Sequence, residues 1–142
     1  MAEHRPISLA TSEAVKVVSQ IIYARRTRSD FFAPEIFSDP AWDMLLVLFL
    51  AKARGEGMAP DQLAKAAASP LGASARWIGI LKRNGLVQPG RVQADGITRM
   101  IELAPRGWSA MLQWAQRWIE SYPDNGNGRV TELLNRIYDG KN

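Results

Sequence analysis

Between residues 58 and 104, turn-forming residues and apolar periodicities alternate in an order that few folds accept. Pro60 fits the first turn of a short helix without losing a hydrogen bond, and that helix carries Leu63, Ala66 and Ala67 inward. Ser69-Pro70-Leu71-Gly72 breaks it. A further helix, about Ala73 to Asn84, stops at Gly85, which can take the left-handed conformation that helix ends favour. Two short helices across so brief a turn outline a helix-turn-helix. Leu86 to Gln93 and Thr98 to Leu103 then form two β-capable runs around Ala94-Asp95-Gly96-Ile97, and Asp-Gly in such a place signals a hairpin because both residues tolerate positive φ. Pro89-Gly90 interrupts the first run and predicts a bulge or a short ladder. Helix, helix, hairpin is the winged form of the motif.

Helices flank this core on both sides, so the fold class is mainly α: a winged helix-turn-helix with a small β-hairpin wing and N- and C-terminal helices. From about Thr11 to Phe32, Ala14, Val17, Val18, Ile21 and Ile22 follow an amphipathic spacing. Asp39-Pro40 starts a second helix to about Arg54, with Asp39 as the expected cap. Trp42, Met44, Leu45, Leu46, Leu48, Phe49 and Leu50 make that helix apolar nearly all round, which predicts a central position. Pro105 opens a long helix with the stripe Trp108, Met111, Leu112, Ala115, Trp118, Ile119 and Tyr122. A Pro-Asp-Asn-Gly-Asn-Gly loop follows, then a last helix, about Arg129 to Asp139, striped by Val130, Leu133, Leu134 and Ile137. A 142-residue chain suits one domain, 1–142, in three parts: N-terminal helices 11–57, winged core 58–104 and C-terminal helices 105–142.

Composition removes several function classes. Without cysteine there is no thiolate nucleophile, disulfide or Cys-based zinc site, and the one histidine, His4, makes no cluster, so no metal and no cofactor are expected. Asp39 and Asp43 lie four apart at a helix start, where capping explains both, and no phosphate-binding loop is present; the chain does not read as an enzyme. The longest apolar run, Met44 to Ala51, is far short of the roughly 20 residues a membrane span needs. The opening Met-Ala-Glu-His-Arg lacks the apolar stretch of a secretory signal, so a cytoplasmic location is expected.

The net charge of +4 becomes informative once located. Residues 1–57 and 108–142 each balance to zero. Residues 58–107 hold Lys65, Arg76, Lys82, Arg83, Arg91, Arg99 and Arg106 against Asp61, Asp95 and Glu102, so the whole excess lies in the winged core, where a polyanion would dock. On a helical wheel the second core helix turns Trp77, Ile78 and Leu81 to one face and Gly72, Ala75, Arg76, Gly79 and Arg83 to the other. The candidate duplex-binding set is its N-terminal run Gly72, Ala73, Ser74, Ala75 and Arg76, then Lys65, Lys82 and Arg83 at phosphates, and Arg91 and Arg99 on the wing. Arg76 is the candidate base reader, because a guanidinium can bond guanine O6 and N7 together.

The sequence Asp39-Pro40-Ala41-Trp42-Asp43-Met44-Leu45-Leu46, then Ala75-Arg76-Trp77-Ile78 with Leu81, Gly85-Leu86-Val87, Asp95-Gly96 and Leu103, resembles the MarR-like winged-helix transcriptional regulators, in particular a bacterial subgroup with a DPAWDMLL stretch. The resemblance covers about residues 25 to 115. It implies a homodimer with interlocking terminal helices, recognition helices in successive major grooves, and often a small-molecule effector. Two departures stand out: Gly72 and Ala73 occupy places where related proteins tend to carry hydroxyl residues, and Ile97 and Thr98 follow the wing Asp-Gly where a basic pair is usual. They keep open a second reading, a protein-interaction module or co-regulator with weak or partner-dependent DNA binding. For an effector, Phe37, Trp42 and Trp108 form the candidate pocket at the junction of the core and the long helices. For the dimer interface, the candidates are Val18, Ile22, Trp114, Trp118, Leu133, Leu134 and Ile137, since a short last helix is marginal unless its stripe is buried.

Overall fold

The computed structural model describes residues 9–33, 39–67, 71–121 and 136–137. Phe37, Leu133 and Leu134, together with most of the expected last helix, lie outside the described residues; Arg136 and Ile137 have helical backbone. The elements run α1 (Leu9–Thr27) with a 3-10 turn at Arg28–Asp30, α2 (Pro40–Ala53), α3 (Pro60–Ala66), α4 (Leu71–Arg83), β1 (Val87–Val92), β2 (Arg99–Leu103) and α5 (Pro105–Ser121).

Helix α2 is the hub, packed by α1, α3, α4, α5 and β2. Its Met44, Leu46, Leu48 and Phe49 are fully buried with Val18 of α1, Leu63 of α3, Leu103 of β2 and Ala115 of α5. An all-round apolar helix has no solvent face to choose, so surrounding it is the arrangement that removes most apolar area from water. Pro40 takes the first helical position as expected. Asp39, in contrast, makes no side-chain cap bond, and Asp43 of the first turn is ion-paired with Arg25 of α1. The two carboxylates read as caps are therefore not caps: one is exposed, and the other ties two helices together.

Helix α3 begins at Pro60, with the Gln62 side chain accepting the Ala59 N–H at 3.1 Å. Helix α4 ends as its sequence demands: Gly85 has φ +71°, its N–H donates to the Lys82 carbonyl, and the Leu86 N–H reaches the Leu81 carbonyl at 3.0 Å. Strands β1 and β2 pair antiparallel as Val87↔Leu103, Gln88↔Glu102 and Pro89↔Ile101, then jump to Val92↔Arg99, so Gly90 and Arg91 together oppose Met100 in a bulge.

One strand partner was missing from the sequence reading. Met58 pairs with Ile101, each N–H donating to the other's carbonyl at 2.8 Å. Because the Ile101 backbone groups point to Met58, Pro89 on the opposite side loses nothing by having no N–H. A Cβ on Gly57 would sit 2.7 Å from the Ile101 carbonyl oxygen, so glycine there permits the approach and is more than a helix stop. Gly107 does the same at the start of α5, where a Cβ would meet the Leu86 carbonyl oxygen at 2.1 Å. Lys52 of α2 closes the other side of the wing through an ion pair with Glu102.

Candidate nucleic-acid interface

Helix α4 is clamped by one face only. Ser74, Ile78 and Leu81 are buried at i, i+4 and i+7, while Gly72, Ala75, Arg76, Lys82 and Arg83 are exposed and Ala73 and Gly79 half-buried. Among the described residues no ion pair or hydrogen bond engages the side chains of Arg76, Lys82 or Arg83. A guanidinium nitrogen of Arg83 lies 3.7 Å from where a Gly79 Cβ would stand, so the chain folds along a bare stretch of its own helix. Arg76 and Arg83 are seven positions apart, which is about two turns, or roughly 10 Å, along one face.

Ser74 corrects the sequence reading. It belongs to the expected duplex-binding run, but it is 1% exposed, and its hydroxyl is buried with no hydrogen-bond partner among the described residues. The wheel position explains this, since 74 shares its face with 78 and 81. A contiguous N-terminal run cannot lie wholly outside on a helix that buries every third or fourth residue.

The wing presents Arg91 and Arg99 as exposed side chains, with Arg99 donating to the Gly90 carbonyl at 3.0 Å across the bulge. Its loop is built differently from a two-residue Asp-Gly turn. The Gly96 N–H donates to the Gln93 carbonyl at 2.9 Å, so Ala94 and Asp95 are the turn centre and Gly96, at φ +72°, follows it. The Asp95 carboxylate accepts the Ile97 and Thr98 N–H groups, both at 2.9 Å, and the Thr98 hydroxyl at 2.6 Å. The Thr98 hydroxyl, then these amides, hold the carboxyl below the ordinary aspartate range. Of the three acids in the basic segment, Asp95 is thus folded into its own loop and Glu102 is paired with Lys52. Asp61, the third, is exposed on α3 four positions before Lys65, and among the described residues none of the three acids is ion-paired with a cation of α4.

The proposed effector and dimer residues fare differently. Trp42 meets Trp114 edge-on at 4.8 Å, and Trp108 stacks on Phe49 at 4.6 Å. Each ring pair joins α2 to α5, so Trp42 and Trp108 both serve helix packing, and the third expected pocket residue, Phe37, lies outside the described residues. Trp114, a dimer-interface candidate, is half-buried between Trp42 and Trp118. Val18 is fully buried within the single chain and cannot be a dimer contact, because the α1–α2–α5 packing has already consumed it. Ile22 is half-buried against the same core, whereas Trp118 and Ile137 are exposed. Among the described residues no His, Cys, Asp or Glu cluster could hold a metal ion, and no helix is long and apolar enough to cross a membrane.

No family model matches the sequence, and no curated protein does. Solved structures do. The S. aureus MepR–DNA complex is similar over 86% of this chain and 96% of that one, with 14% identity and a TM-score of 0.55. A MarR family transcriptional regulator from Silicibacter pomeroyi shares 19% identity over 89% of this chain and 86% of that one, with a TM-score of 0.47. A homodimeric winged helix-turn-helix DNA-binding domain from Mycobacterium bovis shares 18% over 86% and 93%, with a TM-score of 0.44. The first of these likenesses, with the five α-helices and one antiparallel hairpin named above among the described residues, establishes the winged-helix fold.

Proposed function

We propose that this chain is a transcriptional regulator of the MarR-like type that binds double-stranded DNA, with α4 in the major groove and the hairpin at the minor groove. One observation carries the proposal: the outer face of α4 is sterically bare, and its three cations, Arg76, Lys82 and Arg83, have no acidic partner among the described residues. A helix with small residues along its outer face can lie deep in a groove, and unneutralised cations at its end suit phosphates. The DNA-bound state of MepR, a protein of the same fold, supports the reading. In this reading Arg76 reads a base, Lys65, Lys82 and Arg83 hold phosphates, Gly72, Ala73 and Ala75 permit close approach, and Arg91 and Arg99 flank the wing. The chain acts as a non-enzymatic homodimer in the bacterial cytoplasm, with exposed Trp118 and Ile137 among the surfaces a second copy covers. A small-molecule effector would enter where the winged core meets the long helices, beside Trp42 and Trp108.

Affinity for random duplex should fall steeply as salt rises, and Lys82→Ala should weaken every sequence alike. Arg76→Ala should cost roughly 1 to 3 kcal/mol on a selected site and relax preference at one position. A flat salt dependence would favour a protein-interaction module. Sedimentation should show a species of twice 15.8 kDa; a monomer at micromolar concentration would remove the dimer.

A further inference from the structure

We infer that Ile97 is an apolar wedge that the wing presses into the minor groove of duplex DNA at a deformable base step. The inference rests on the proposed DNA-binding function and adds to it a residue that determines which sequences flank the recognition site.

Ile97 is 86% exposed, more than any other large apolar side chain among the described residues. It stands at a hairpin tip, where polar and turn-forming residues are the rule. Its position is nevertheless held firmly. The Asp95 carboxylate accepts the N–H of Ile97 itself, the neighbouring Thr98 is bound twice, and the Gln93 N–H to Thr98 carbonyl bond of 2.7 Å closes the loop beneath. A side chain fixed in this way meets a surface without first losing much loop freedom.

The charges around it choose the surface. Arg99 is turned back to the Gly90 carbonyl and Arg91 lies in the bulge below the tip, so the flanks of the wing are cationic. Its end carries the Ile97 side chain and the Asp95 carboxylate, one oxygen of which accepts the Ile97 and Thr98 N–H groups and the other the Thr98 hydroxyl. The minor groove has the complementary layout: two phosphate walls with stacked base edges between them, about 6 Å apart. Isoleucine is among the side chains that minor-groove proteins insert between base pairs, and pyrimidine–purine steps unstack most readily. The Ile97 side chain forms no counterion-releasing contact, so its contribution is shape selectivity.

The test uses duplexes selected from a random pool by the wild-type chain, with 2-aminopurine placed at successive positions to report unstacking as a rise in fluorescence. Wild-type protein should give that rise at a TA or CA step in each flank. Ile97→Ala should abolish it and lower affinity roughly tenfold with an unchanged salt slope, because no charge is removed. Its thermal melting should match wild type, since the side chain is exposed. Ile97→Lys should bind without the fluorescence rise and with a salt slope steeper by about one. Retention of both signal and affinity by Ile97→Ala, with wild-type binding still salt-dependent, would overturn the wedge and leave the DNA-binding proposal standing. If the wild-type chain selects no duplex at all, both fall together.

Discussion

Helices α2 and α4 are 14 and 13 residues long and lie in the same small core, yet they live in opposite surroundings. Helix α2 is covered on every side, and the polar side chains at its ends, Asp43 and Lys52, are each drawn into an ion pair with another element. Helix α4 is held by Ser74, Ile78 and Leu81, and its outer face carries cations that no acid among the described residues neutralises. The difference separates two jobs: one helix is where the fold is stored, the other is where it is displayed. Substitutions should therefore move stability in α2 and recognition in α4.

The largest expected effect is on the α2 side. Phe49→Ala removes a fully buried ring that stacks on Trp108, and it should destabilise the chain by about 3 to 5 kcal/mol in urea unfolding. A loss under 1 kcal/mol would mean that α2 is not the hub. Next, Ser74→Ala tests the inner face of α4. The hydroxyl is buried and unpartnered, so its removal should leave stability unchanged or raise it by about 1 kcal/mol, with no change in duplex affinity. A marked loss of affinity would put Ser74 back among the DNA contacts.

Gly72→Ala addresses the outer face. Nothing lies within 4 Å of the added methyl, and its φ is not in the left-handed region. Helix stability should gain up to about 1 kcal/mol, while duplex affinity should fall if this face enters a groove. Gain without loss would break the link between bareness and recognition. The smallest effect is at the wing. The Asp95 carboxyl sits below the ordinary 3.8, so the support it gives the loop is present above that value and is lost only as the pH falls through the lower, folded value. The Ile97 and Thr98 amide resonances should accordingly titrate with a midpoint below 3.8, and Asp95→Asn should abolish that titration. A midpoint at or above 3.8 would show that the carboxylate is not held.

Much of the wing and of α4 was legible because their instructions are local. Gly85 ends α4 with positive φ, and Pro89-Gly90 marks the bulge, both from residues within a few positions of the feature they control. The Asp95-Gly96 signal located the hairpin loop but misjudged its chemistry, since four residues form it and the aspartate acts through its side chain. The ion pair of Arg25 was not legible. Nothing near it in sequence indicates Asp43, which lies 18 positions away on the next helix.

The sequence by itself determined the order of the described helices, the hairpin and the segment that carries the charge, because capping, turn formation and periodicity act over a few residues. It misplaced the ends of α1, which runs Leu9–Thr27 against the expected Thr11 to Phe32. Tertiary structure decided which faces are spent. Val18 went into the α1–α2–α5 core, Trp42 and Trp108 went to ring partners on facing helices, Ser74 turned inward, and Met58 reached Ile101 to become a third strand partner. Those outcomes depend on which surfaces meet at close packing. An amphipathic pattern states that a residue will be buried, but only the assembled helices state against what, and whether anything is left for a partner.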